Sequence, residues 1–305
     1  MRRSLLLLAL APALLTMAGC RTLADTSAPT PTPMPAETPV VASADAMPAN
    51  DNLNATLWMQ RAVEYRGVSE SVYRGAMSRL DEALKDPTWD ALAADERTVP
   101  ARGLPPAVIV DIDETVLDNS PYQARLVRDG AQYDEVSWDA WVQEKKARPV
   151  PGALEFARYA NARGVTMLYI SNRAEHLGAP TLENLRAVGL PVKDDSVFLG
   201  LGTFVEDCEQ EGSEKRCRRE LAGRRYRILM QFGDQLGDFA QIVANTPQDR
   251  AALYDRHAAW FGERWWVLPN PSYGSWEPAL FNNAWAEPLE SRRARKREAL
   301  DTADR

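Results

Sequence analysis

Two spacings of apolar residues divide the chain. Leu57, Trp58, Ala62, Tyr65, Val68, Val72, Tyr73 and Ala76 recur at helical intervals and lead on to Leu80 and Leu84. That period predicts one or two amphipathic helices packed on a globular body. Past Pro105 and Pro106 the rhythm changes to short unbroken apolar runs at 107–110, 165–170, 197–199, 226–232 and 265–268, separated by helical stretches. Strands that are apolar at every position are covered on both faces, so these runs predict an α/β fold with a doubly wound, mostly parallel sheet. Residues 122–147, rich in tryptophan and charge, follow the first run, and Pro149-Val150-Pro151-Gly152 then opens a helix. An insertion at that point is placed to roof the carboxyl end of the sheet, where open parallel sheets bind ligands. The expected organisation is a globular domain at 51–289 with N-terminal helices and a small helical cap, the cap elements lying at about 51–95 and 120–150. A charged tail at 290–305 is expected to be a solvated helix or a frayed end, with no function attached to it.

Ahead of the domain, Arg2-Arg3 precede an apolar run from Leu5 to Leu15 and then Thr16-Met17-Ala18-Gly19-Cys20. This reads as a signal peptide at 1–19. Ala18 and Gly19 before Cys20 resemble the bacterial lipoprotein cleavage box, although Met17 stands where an aliphatic residue is usual. Lipidation of Cys20 would anchor the protein to a membrane, because more than one acyl chain is enough for stable attachment. Arg21 after the cysteine points to the outer membrane of the bacterial cell envelope. Residues 20–50 are dominated by Pro, Ala, Thr and Ser and read as a disordered tether.

Composition narrows the function further. A formal charge of −7 argues against a nucleic-acid binder. Only two histidines, His176 and His257, are present, too few for a comfortable histidine-nucleophile phosphatase. Beyond Cys20 the chain keeps an even pair, Cys208 and Cys217, in a compartment that permits disulfides. They are read either as a disulfide or as two reduced thiols.

The chemistry begins at Val108-Ile109-Val110-Asp111-Ile112-Asp113-Glu114-Thr115, where an apolar strand runs into two carboxylates one residue apart. Residues i and i+2 of a strand share a side, so Asp111 and Asp113 face one ligand if extended geometry persists through Ile112. Two carboxylates repel each other and a phosphate dianion, so the pair makes chemical sense with a cation between them, and Mg²⁺ suits an all-oxygen site with few protein ligands. A calcium loop is disfavoured, since Val116 replaces the glycine of its sixth position and Tyr122 the glutamate of its twelfth. Further along, 165–170 runs into Ser171-Asn172-Arg173, Lys215 follows a strand and a polar loop, and a third strand ends in Gly233-Asp234-Gln235-Leu236-Gly237-Asp238.

In that order, Asp-x-Asp-x-Thr, Ser, Lys and Gly-Asp-x-x-x-Asp resemble the haloacid dehalogenase superfamily, with its Rossmann-like core. Within it the chain is similar to the class C acid phosphatases, bacterial outer-membrane lipoproteins that hydrolyse phosphomonoesters and often act as 5′-nucleotidases. The added likeness rests on Leu57-Trp58-Met59-Gln60 with Glu64-Tyr65, Asp118-Asn119-Ser120-Pro121-Tyr122, Trp138-x-x-Trp141-Val142, Pro151-Gly152, and Leu268-Pro269-Asn270-Pro271-Ser272-Tyr273-Gly274-Ser275-Trp276-Glu277. Gln235 stands where the family usually has Asn, and Cys208 with Cys217 is not part of its pattern. The resemblance implies that Asp111 is the nucleophile and Asp113 the general acid and base. It also implies that the Asp111 carboxylate, the Asp113 carbonyl and Asp234 hold Mg²⁺, and that Thr115, Ser171, Asn172 and Lys215 bind phosphate. Asp238 would orient Lys215 or the metal shell, and Arg216 is the competing reading for the lysine. Trp141 and Tyr273 are implied to stack on a nucleobase or nicotinamide ring, among the entrance aromatics Tyr122, Trp138 and Trp276. Implied substrates are small phosphomonoesters, nucleoside or nicotinamide 5′-monophosphates among them. The resemblance allows a homodimer, for which the chain carries no separate signal. A competing class is a surface lipoprotein that binds haem or a nucleotide on such a scaffold without turnover.

Overall fold

The structure is a computed structural model that describes residues 50–303. The signal peptide, Cys20 and all of the tether but Asn50 lie outside the described residues. Two N-terminal helices, α1 (Leu53–Arg61) and α2 (Val63–Lys85), come first. After them β1 (Pro106–Val110) leads through β2 (Leu117–Asp118) into α3 (Ser120–Asp129), α4 (Glu135–Glu144) and β3 (Arg148–Pro149). The chain continues through α5 (Ala153–Asn161), β4 (Thr166–Ala174), α6 (Gly178–Ala187), β5 (Phe198–Leu201), α7 (Arg216–Arg225), β6 (Arg227–Gly233), α8 (Pro247–His257), β7 (Trp265–Val267), α9 (Trp276–Ala279) and α10 (Leu289–Glu298).

Five strands form one sheet in the order β5-β4-β1-β6-β7, every pairing parallel. The strand that carries Asp111 is therefore central, and its carboxyl end opens between the ends of β4 and β6. All seven residues of β6 and four of five in β1 are buried, as continuous apolar runs require of a doubly covered sheet. Helices α2 and α5 cover one face, where Phe232 packs at ring-centroid distances of 5.2 Å from Tyr73 and 4.6 Å from Phe156. Gln231 projects to the other face, donating to the Ala91 carbonyl at 2.7 Å, as does the fully buried Trp265 at 2.8 Å. There α7 is joined to the segment before β1 by a buried pair, Arg219 with Glu96, at 2.6 Å.

The short antiparallel ladder pairs Leu117 with Pro149 and Asp118 with Arg148, and so pins together both ends of the cap insertion. Within the cap, α3 stops at left-handed Gly130, and α4 starts at Asp134, whose carboxylate accepts the Ser137 amide at 2.9 Å. Within the 51–95 stretch expected to belong to the cap, α1 lies against α3, whereas α2 packs on the sheet through Tyr73. The charged tail is helical as α10, and it returns to the start of the domain through Arg293 and Lys296, both bonded to Asp51 at 3.0 and 3.1 Å. No described helix is long and apolar enough to cross a membrane.

A disulfide joins Cys208 to Cys217, nine residues apart, and closes the loop that leads into α7. Loop-closure entropy in the unfolded chain puts its contribution at roughly 2–3 kcal/mol. Urea unfolding of a Cys208→Ser/Cys217→Ser variant is expected to show that loss at unchanged m-value. Stability equal to the parent would mean the loop is held by its other contacts alone.

Candidate active site

β1 ends at Val110, yet Asp111 stays in the ladder, its amide donating to the Phe232 carbonyl at 2.9 Å. The carboxylate thereby emerges beside β6. Lys215, at the start of α7, turns its ammonium between two carboxylates, donating to Asp111 Oδ1 and, at 2.6 Å, to Asp238 Oδ1. The other Asp238 oxygen accepts the Gln235 amide at 2.8 Å. This fold-back requires Gly233, because a β-carbon there would overlap the Asp238 side chain. Asp234 Oδ2 accepts from Gln235 Nε2 and from Asn270 Nδ2, each at 2.7 Å.

Asp111, Asp234 and Asp238 present carboxylate oxygens within 4.8 Å of one another. Burial pushes the Asp111 carboxyl well above its ordinary range against the pull of the Lys215 ammonium, and the charges of Asp238, Asp234 and Asp113 add to the rise. Asp234 is pushed up to about 7, first by burial and then by Asp238. Burial alone would lower the lysine, but Asp111 and Asp238 outweigh it and its net shift is upward. Lys215 bonds two of these three carboxylates with a single charge, and an all-oxygen donor set of this size fits a divalent cation. Both Asp238 oxygens are already engaged, by Lys215 and Gln235, which favours its orienting role over direct ligation.

Asp113 lies in a tight turn closed by Val116 N to Ile112 O at 3.0 Å and Glu114 N to Leu117 O at 2.8 Å. Strand geometry therefore does not run through Ile112 as expected; the turn, which puts Glu114 at φ +58°, is what brings Asp113 round. Its Oδ1 accepts from Asn119 Nδ2 at 2.8 Å and from Arg173 Nη2 at 2.8 Å and Nε at 3.0 Å. Arg173 is buried, with Nη1 on Thr181 Oγ1 at 3.1 Å and its guanidinium 5.4 Å from the Trp138 ring centre. No role for Arg173 was predicted from sequence, and the signal was a charged residue closing an apolar strand.

The expected phosphate ligands are brought together unequally. Ser171 Oγ lies 3.4 Å from Asp113 Oδ2, and Thr115 Oγ1 lies 3.5 Å from both Asp111 and Asp234, so both hydroxyls border the carboxylates. Asn172 differs from expectation: its side chain is exposed and its Oδ1 accepts from Arg218 Nη2 at 2.8 Å, which ties it to α7. Arg218 also bonds the carbonyls of Ser171, Ser213 and Glu214 and so clamps the β4 end to the lysine loop. Arg216, the rival to Lys215, pairs with Glu220 at 2.9 Å and Gln241 at 3.0 Å, away from Asp111.

Trp141 does not fit its stacking assignment. It is 2 % exposed, its indole N–H donates to Asn119 Oδ1 at 2.8 Å, and Arg125 lies 4.9 Å from its ring centre. Its tie is to the residue that holds Asp113. Trp138 is the less buried of the two, in an aromatic group with Tyr122 at 5.2 Å and Tyr133 at 6.3 Å. Tyr273 is half-buried, and its hydroxyl donates to Glu114 Oε2.

Residues 14–276 match the sequence family described as HAD superfamily, subfamily IIIB (acid phosphatase), and the chain belongs to that family. Among solved structures it is similar to the class C acid phosphatase from Bacillus anthracis, at 32 % identity and a TM-score of 0.71, covering 83 % of this chain and 98 % of that one. The same enzyme with tungstate bound matches equally. Curated relatives include vegetative storage protein 1 of Arabidopsis thaliana, 26 % identical over 54 % of each chain. Acid phosphatase 1 of Solanum lycopersicum is 26 % identical over 43 % of this chain and 50 % of its own. The chain thus spans about half the length of these curated relatives.

The raised Asp234 carboxyl has a thermodynamic consequence. Between pH of about 4 and 7 the folded chain keeps a proton that the unfolded chain has lost, so this group makes stability fall as pH rises. A divalent cation competes with that proton. In thermal melts, 5 mM Mg²⁺ over EDTA is therefore expected to raise the midpoint more at pH 7 than at pH 4.5. Taking the difference removes His257, whose imidazole burial pushes down and whose slope has the opposite sign. A Mg²⁺ increment independent of pH would contradict this assignment.

Proposed function

We propose that the protein is a Mg²⁺-dependent phosphomonoesterase working through a phosphoaspartate on Asp111, with 5′-nucleotides among its substrates. The observation that carries this reading is the division of the carboxylates: Lys215 engages Asp111 and Asp238, while Arg173 and Asn119 hold Asp113 apart from them. Nucleophile and proton donor thus have separate supports. The tungstate held by the Bacillus anthracis enzyme supports an oxyanion site of the phosphate type.

Asp111 attacks phosphorus in line with the ester oxygen, and Lys215 Nζ keeps the attacking carboxylate oriented while offsetting its charge. Asp113 gives its proton to the departing alkoxide. It then takes a proton from the water that cleaves the acyl phosphate, the second step reversing the proton demand of the first. Asp111, Asp234 and the Asp113 carbonyl would hold Mg²⁺, which supplies positive charge for the transferred phosphoryl oxygens. Ser171 and Thr115 border that position as hydroxyl donors. Because phosphoryl transfer depends on positioning and charge stabilisation, each of these groups bears directly on turnover. Trp138 and Tyr273 are the aromatic surfaces offered to the leaving group. Stacking of this kind contributes about 1–3 kcal/mol per base and tolerates different bases.

Export and anchoring belong to the same reading. The lipoprotein box at Cys20 supports attachment to the outer membrane of the bacterial cell envelope, and the disulfide supports an oxidising compartment.

The purified protein is expected to release phosphate from p-nitrophenyl phosphate with Mg²⁺ and to lose this with EDTA. Asp111→Asn is expected to lower kcat by about a thousandfold or more at unchanged circular dichroism. Turnover surviving either treatment would move the chemistry elsewhere, and binding of nucleotide without release by the parent protein would favour the ligand-binding alternative.

A further inference from the structure

Glu114 has no part in the mechanism above, yet it is fully buried and sits in the left-handed region at φ +58°. A buried carboxyl and a strained non-glycine backbone are both costly, and together they call for a function. The two oxygens point at two segments. Oε1 accepts the amide of Asn119 at 2.8 Å, and Oε2 accepts the hydroxyl of Tyr273. Asn119 is the residue whose Nδ2 holds Asp113. Tyr273 lies on the segment after β7, which is tied at its other side to Asp234 and its neighbour: Asn270 Nδ2 donates to Asp234 at 2.7 Å, and Gln235 Nε2 donates to the Tyr273 carbonyl at 3.2 Å. Gly274 lets Gln235 come this close, since a β-carbon there would overlap its amide. Tyr273 is thus held at its backbone by Gln235 and at the far end of its ring by Glu114.

We infer that Glu114 is a positioning residue that sets the plane and height of the Tyr273 ring, and that it thereby determines specificity for aromatic over small aliphatic leaving groups. The inference rests on the proposed contact between Tyr273 and the leaving group. The Asn119 amide can only donate, so glutamine at 114 keeps its oxygen there and turns its N–H₂ toward Tyr273, whose hydroxyl must then accept instead of donate; a charge-assisted bond becomes a weaker neutral one at unchanged volume.

The test uses the full chain with Mg²⁺, adenosine 5′-monophosphate as the aromatic substrate and glycerol 2-phosphate as the aliphatic one. Tyr273→Phe keeps the ring and removes the tie; it is expected to raise KM for the nucleotide about three- to tenfold more than KM for the aliphatic ester. Glu114→Gln is expected to move the nucleotide KM in the same direction, and the double variant to be no worse than the larger single change, because both act on the one Tyr273–Glu114 bond. Additive effects, or equal losses on both substrates, would overturn the inference and leave Glu114 a structural residue. Should Glu114→Gln fail to fold, Tyr273→Phe decides by the same KM split. Tyr273→Ala separates the two levels. If it leaves the nucleotide KM unchanged, the leaving-group contact falls and the inference with it. If it raises that KM while the Phe and Gln variants do not, only the role of Glu114 falls.

Discussion

Burial of Lys215 between Asp111 and Asp238 sets the terms for everything around it. A carboxylate in a dry site is pushed toward its neutral form, in which Asp111 could not serve as the proposed nucleophile; the ammonium opposes that drift from one side. One lysine cannot balance Asp111, Asp234 and Asp238 together, which is why the same cluster has the chemistry of a divalent-cation site. The strain of unbalanced charge and the capacity to bind a cation beside a phosphate are one property seen twice. Asp113 escapes this cluster because Arg173 and Asn119 hold it separately.

The fold exists, in this sense, to bring three strand ends to one point. β1 supplies Asp111, its neighbour β4 supplies Ser171 and Arg173, its neighbour on the other side β6 supplies Asp234, and α7 enters with Lys215. Arg218 then ties the lysine loop to the β4 end, and the disulfide closes that loop from outside. The cap is bound to the same point rather than merely covering it. Trp141 reaches Asn119, and Trp138 lies against the arginine on Asp113. Motion of the cap would therefore be felt at Asp113, the proposed proton donor, as well as at the entrance.

Much of this was legible in the chain. All five apolar runs are strands of one parallel sheet, because residues buried on both faces leave a signal that needs no partner to read. The acidic and basic groups at strand ends were legible for a similar reason: topology brings such ends together whatever their distance in sequence. What sequence could not supply was the direction of side chains in the turns. Asp-x-Asp suggested continued strand alternation, whereas a turn with Glu114 in left-handed conformation delivers Asp113. Stacking by Trp141 was implied by the family resemblance, but a tryptophan in a cap is equally suited to packing; its 2 % exposure and its bond to Asn119 decide between the two. Arg173 and Glu114 were passed over because their partners lie far along the chain, at Asp113 and Tyr273 respectively. Cys208 and Cys217 allowed a bridge without requiring one, and the 5.6 Å between their Cα atoms in the fold makes it.

In the proposed mechanism the transferred phosphoryl group resides on the Asp111 carboxylate. Beryllium fluoride in the presence of Mg²⁺ mimics an aspartyl phosphate, and a crystal structure of that complex reads the acceptor atom directly. Beryllium is expected to be bonded to an Asp111 oxygen, with Lys215 and Ser171 on its fluorides. Density for the mimic on Asp113, Asp234 or any other side chain would contradict it.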